Sequence, residues 1–110
     1  MAENNGIDRI IGMLGLAMKA GKVVIGTEQV ITYLQKGRIK LTLVSSNASD
    51  GTKKKILRKC EFYKTRIEEL GIETDELGRL LGKSYTPAVV GITDENFSRA
   101  IIKLLDGENA

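Results

Sequence analysis

The 110-residue chain has no histidine, no tryptophan and a single cysteine. Without histidine it lacks the commonest general base and metal ligand, and one thiol cannot assemble the usual zinc constellations. The carboxylates are scattered over helix starts and form no catalytic pair. The residues therefore speak against an enzyme, and no cofactor or metal is expected. The lone Cys60 excludes an intramolecular disulfide framework and fits a reducing cytoplasm. It shares a helical stripe with Ile56 and Leu57 and reads as core, not as a nucleophile. No apolar run approaches the ~18 residues of a membrane span. Residues 1–6 lack a basic region followed by an apolar core, so no secretory signal is expected and the protein reads as cytosolic. With Phe62 and Phe97 both at helix positions suited to a core, a base-stacking aromatic sheet is not expected either.

What is present is an ordinary globular composition, 42% apolar and 28% charged, long enough for one domain with its own core. Residues 1–5 and 106–110 read as flexible tails. The net charge of +3 is small, but its distribution is not even. Between Lys19 and Arg66 twelve basic residues face three acids; elsewhere five basic residues face eleven acids. Such a molecule offers one basic side to a polyanion and keeps an acidic side in water. The plain alternative for Lys53-Lys54-Lys55 and Arg58-Lys59 is a solvated helix face.

Hydrophobic spacing places the elements. Ile7, Ile10, Ile11, Leu14 and Met18 recur at helical intervals, with Gly21 as the stop. A short strand follows (22–25), then a helix from Thr27 to about Lys36 with Val30, Ile31 and Leu34 inward and Gly37 closing it. Residues 40–46 form a β-rich run suited to a central strand. After a loop at 47–51, a third helix carries Ile56, Leu57 and Cys60 on its buried side. Residues 64–73 could continue that helix, but a sheet interleaved with helices calls for a strand at 66–70. Thr74 or Asp75 then caps a short helix bearing Leu77, Leu80 and Leu81, closed by Gly82. Residues 88–92 are an apolar strand, and Thr93-Asp94 opens a last amphipathic helix with Phe97, Ala100, Ile101, Leu104 and Leu105. The expected fold is α/β: a three-layer α/β/α sandwich around a small mixed sheet of about four strands.

Two nucleotide motifs fail. Residues 15–22 superficially suggest a P-loop, but the glycine spacing is too long, Val23 replaces the required Ser/Thr, and the segment lies in a helix and its cap. No G-x-G-x-x-G follows a strand. The informative stretch is instead 20–40. There a glycine turn at Gly26 leads from a strand into a helix at Thr27, leaving amide donors and a partial positive charge outward. The plain alternative is an ordinary connection with Thr27 as N-cap.

With these elements in order, the chain resembles the kink-turn RNA-binding superfamily of ribosomal proteins (seven-A-e and thirty-e type), and within it the small bacterial YlxQ-like branch. The resemblance is carried by residues 21–30 (GKVVIGTEQV), 37–44 (GRIKLTLV), 75–78 (DELG) and 81–83 (LGK), and covers about Leu14 to Leu105. It implies a non-catalytic protein whose second helix enters the widened groove of a kinked RNA loop and reads sheared G·A pairs, while the loop before the last strand touches a splayed nucleotide. The partner would be structured RNA, ribosomal RNA or the ribosome among the candidates. The implied contacts are Lys22, Gly26, Thr27, Glu28, Gln29, Thr32 and Lys36, with Ser84, Tyr85, Thr86, Pro87 and Ala88 in the loop.

One departure from the family pattern matters. Its strong binders carry Asn-Glu where this chain has Glu28-Gln29, and a lysine where it has Thr32. Gln29 still offers a donor and an acceptor to a base edge. Glu28 adds a negative charge near phosphates, and the cation missing at Thr32 removes about one unit of salt slope. Tyr85 offers a ring to an unpaired base, or is a plain surface tyrosine. The alternative reading is a protein-interaction module on the same fold, with kink-turn binding weakened or lost.

Overall fold

The computed structural model describes residues 5–72, 77–79, 81–82 and 87–107, with side chains from residue 8 onward. The elements run α1 (Asn5–Lys19), β1 (Val23–Ile25), α2 (Thr27–Gln35), β2 (Leu41–Ser45), α3 (Asp50–Phe62), β3 (Arg66–Leu70), β4 (Val89–Ile92) and α4 (Glu95–Leu105). Residues 77–79 are also helical.

Every residue of β2 is buried, as a strand must be when it has neighbours on both edges and helices on both faces. It pairs in parallel with β3, from Leu41↔Arg66 to Ser45↔Leu70, and antiparallel with β4, from Leu41↔Ile92 to Val44↔Val89. β1 lies antiparallel along the other edge of β4, giving the order β1-β4-β2-β3. Alternation along the strands sends side chains to opposite faces. Leu41, Leu43, Val90 and Ile92 join Ile10 and Leu14 of α1 and Ile101 of α4. Val44 and Val89 join Val30, Ile31 and Leu34 of α2 and Ile56 and Cys60 of α3. The result is the expected α/β/α sandwich with a mixed four-stranded sheet.

The ambiguous segment resolves as β3. Helix α3 ends at Phe62, the Thr65 amide bonds back to Cys60 O at 2.9 Å, and Lys64 turns the chain at φ 57°. Two expectations on α3 are corrected. Its buried stripe consists of Ile56 and Cys60, one turn apart; Leu57, rotated about 100° from Ile56, is 43% exposed. Phe62, expected in the core, is 75% exposed at the last turn and stands edge-on to Tyr63. Phe97 does pack against the core of the α1/α4 face. Burial pushes the Cys60 thiol above the ordinary cysteine range, partly opposed by the polar Thr42 hydroxyl nearby.

Leu77 and Leu81 are buried as expected; the proposed caps Thr74 and Asp75, and Leu80, lie outside the described residues. Helix α4 opens on Asp94, whose carboxylate accepts from the Phe97 amide at 2.9 Å. Asp106, assigned above to a tail, is its C-cap and accepts from Arg66 Nη2 at 2.8 Å. With Asp106 foremost and Glu68 second, these carboxylates raise the Arg66 pKa above the ordinary arginine value.

At Gly91 the sheet has no room for a side chain beneath the α2 side of the sandwich. A Cβ there would lie 2.7 Å from Ile39 Cδ1 and 3.4 Å from Val30 Cγ2. Gly91→Ala is expected to destabilise the fold by about 1–3 kcal/mol through overpacking. Ile39→Val removes the obstructing methyl, so urea unfolding of the double variant should recover a large part of that loss. Strict additivity of the two substitutions would show that the crowding is relieved elsewhere.

Candidate nucleic-acid interface

β1 and β2 both run antiparallel to β4, and β3 runs parallel to β2, so these three strands point the same way. Helices α2 and α3 leave the carboxyl ends of β1 and β2 and return along one face, which brings both helix N-termini to one end of the sheet. Each contributes roughly half a positive charge there.

The two differ in how they are closed. On α3, Ser49 caps the helix, its Oγ accepting from the Thr52 amide at 3.2 Å. On α2, no side chain caps the first turn. The cap is Gly26 itself, not Thr27 as the plain alternative had it; Thr27 is already helical, as expected, and the first helical bond runs from the Val30 amide to Gly26 O at 2.9 Å. Gly26 sits at φ 103°, ψ 146°, a conformation open only to glycine in practice. The first-turn amides of Thr27, Glu28 and Gln29 have no intrahelical acceptor and point out of the helix end.

Gly26 also joins the two sequence regions expected to act together. Its amide donates to Val89 O at 2.9 Å, while Ala88 O accepts from the Ser45 amide at 2.9 Å. The residues just before β4 are thus held beside the start of α2. Pro87 is buried and Ala88 half-buried. Ser84, Tyr85 and Thr86 lie outside the described residues.

Glu28, Gln29 and Thr32 are exposed on one side of α2, opposite the buried Val30, Ile31 and Leu34. The Thr32 hydroxyl donates to Glu28 O at 3.0 Å, back along the helix. The Glu28 carboxylate accepts from Lys55 Nζ on α3. With both partners at least half exposed, that pair adds little stability, but it neutralises the charge that sequence alone set against phosphate binding. Lys53 is tied down by Ser46 O at 2.9 Å and Glu69 at 3.3 Å. Lys54 is exposed and unpaired among the described residues. Lys55 is thus a neighbour of the α2 start, and Lys54 precedes it in the first turn of α3; the sequence reading left both out of its site. Their place at the opening of a helix parallel to α2 is the signal that would have included them.

Lys22 and Lys36 are not part of this group. Lys22 precedes β1, about 13 Å of extended chain from Gly26. Lys36 is the C-cap of α2, about 15 Å away at 1.5 Å per residue. Both lie at the amino ends of the parallel strands, with Lys36 Nζ 5.6 Å from the Tyr33 ring centre.

The class of domain is thus a three-layer α/β/α sandwich with an open, glycine-capped helix start beside the residues leading into its last strand. Residues 8–102 match the Ribosomal protein L7Ae/L30e/S12e/Gadd45 family, and the chain belongs to it. It is 40% identical over 97 residues to the RNA-binding protein YlxQ of Bacillus subtilis (strain 168), covering 86% of this chain and 92% of that protein. It is 35% identical over 88 residues to large ribosomal subunit protein eL30 of Trypanosoma brucei brucei, covering 80% and 84%. Among solved structures, a protein of unknown function from Bacillus halodurans C superposes with a TM-score of 0.81 at 38% identity, covering 88% of this chain and 96% of that one. The 15.5kD RNA binding protein of Giardia lamblia superposes at 0.72 with 14% identity, a likeness of fold over 90% and 86% of the two chains.

Gly26→Ala is expected to cost about 1–3 kcal/mol in urea unfolding, because alanine cannot take φ 103° without strain. Nothing within 4 Å would obstruct the added methyl. An unchanged midpoint would mean that the turn relaxes freely.

Proposed function

We propose that this protein binds RNA without catalysing a reaction, and that it recognises a kinked or internally looped RNA through the start of α2. The reading rests above all on one arrangement: the uncapped α2 start, held to β4 through Gly26 and flanked by Lys54 and Lys55. Relatives named as RNA-binding and ribosomal proteins support it. In this account the free amides of 27–29 and Lys54 take phosphates, and Gln29 offers its amide to a G·A base edge. Gly26 lets the RNA backbone come close. Thr27, Glu28, Thr32, Pro87 and Ala88 shape the surface around it, and Ser84, Tyr85 and Thr86 complete the loop as proposed contacts. Ribosomal RNA in the cytoplasm is the natural partner class. No group of three or more metal-ligating residues exists among the described residues, and no described helix is long and apolar enough to cross a membrane.

The alternative, a protein-interaction module on this fold, drew its support from Glu28 and Thr32. The Glu28–Lys55 pair weakens that support, since the carboxylate already carries its own cation.

Titration calorimetry against a kink-turn RNA, with its G·A pairs mutated as control, tests the reading. Tight binding should vanish in the control RNA. Gln29→Ala should lose about 1–3 kcal/mol and blunt the discrimination between the two RNAs. Lys54→Ala should weaken both equally and lower the salt slope by about 1. Equal binding of both RNAs by the unaltered protein would rule out recognition of the kink.

A further inference from the structure

At the other end of the sheet, the C-terminal ends of α2 and α3 enclose a polar groove of about 370 Å³ bordered by Gly37, Lys40, Tyr63, Lys64 and Thr65. Lys36 and Arg38 flank it on the chain leaving α2. None of Lys36, Arg38, Lys40 or Lys64 has a carboxylate partner among the described residues. Two helix C-termini bring about one negative charge in all, and Glu61 in the last turn of α3 brings another. Four free cations exceed both, so balancing the helix dipoles does not account for them.

The aromatic residues are concentrated here as well. The chain has three tyrosines and two phenylalanines, and Tyr33, Phe62 and Tyr63 all stand at this end. Tyr33 and Tyr63 are half-buried in the α2/α3 cluster. Phe62 has its ring centre 4.8 Å from that of Tyr63 at 83°, which braces it edge-on while 75% of the residue stays exposed. Phe62 is not itself part of the groove's lining but stands against Tyr63, which is, and it buries little beyond that edge contact.

We infer that this groove is a second RNA-binding surface, one that takes a single-stranded segment by phosphate contacts to Lys40 and Lys64 and by stacking of an unpaired base on Phe62. A cationic groove with an exposed ring fits a single strand, whose bases are free to stack, whereas a duplex presents no base face to the ring. The surface is separate from the start of α2 and does not depend on kink recognition there.

Labelled decauridylate, followed by fluorescence anisotropy with the whole protein at about 50 and about 200 mM salt, tests this directly. Phe62→Ala should weaken binding at least about fivefold, with circular dichroism confirming an intact fold. Joint Lys40→Gln and Lys64→Gln should lower the salt slope by about 1.4, near 0.7 per phosphate contact on a single strand. Gln29→Ala should leave decauridylate binding within about twofold, and Phe62→Ala should leave binding of the isolated kink-turn RNA unchanged. A protein indifferent to the kink but behaving this way with decauridylate would lose the function proposed above and keep this surface. The inference is overturned if the unaltered protein shows no saturable binding of decauridylate. It is equally overturned if Phe62→Ala binds as the unaltered protein does, whatever the lysine variants show.

Discussion

Strand β2 is closed on four sides, by β3 and β4 at its edges and by helices over both faces, and this closure organises the molecule. A strand buried in this way must be followed by a connection that returns over one face before the next parallel strand begins. Helix α3 makes that return, and α2 makes the equivalent one between β1 and β2. Their starts therefore share an end as a result of topology, and loop detail has little part in it. The partial charges of two helix starts, the β1–α2 turn and the approach to β4 converge there because the strands leave them no other place.

The same topology sorts the charge. The basic stretch from Lys19 to Arg66 spans β1, α2, β2, α3 and β3, so its helices form one outer layer. The α1/α4 layer is balanced: Asp8, Asp94, Glu95 and Asp106 stand against Arg9, Lys19, Arg99 and Lys103. An asymmetry spread along the sequence becomes an asymmetry between two faces. Within the basic layer, the two ends differ in kind. One end has open amides with a single polar helix side, and the other has free cations with aromatic rings.

Much of this was legible in the residues. Helical spacing identified the inward faces of α1, α2 and α4, and the need for another strand in an alternating pattern located β3 where propensity was divided. Caps and ends were less legible. Thr27 looks like a cap by residue type, but Gly26 takes that place because β1 must break sharply to let its amide reach Val89. Phe62 looks like core by hydropathy, yet it lies about 200° around the helix from Cys60, off the packed stripe. The candidate site was only half readable. Lys22 and Lys36 are close to Gly26 in number but far from it in space, since an extended strand and a full helix intervene. The Glu28–Lys55 pair joins residues 27 apart, a relation carried by two parallel helices and by no local pattern.

That pair has a consequence for how ionic strength would register at the α2 start. A lysine that neutralises a phosphate displaces cations condensed on the nucleic acid, and their release is what makes binding weaken as salt rises. Lys55 already holds a fixed anion within the protein. If it exchanges Glu28 for a phosphate, the carboxylate left behind takes up a mobile cation in turn and offsets the one released from the nucleic acid. Its attraction would thus persist over concentrations at which that of Lys54 fades. Two adjacent lysines on one helix would then differ in the range of media over which each is effective.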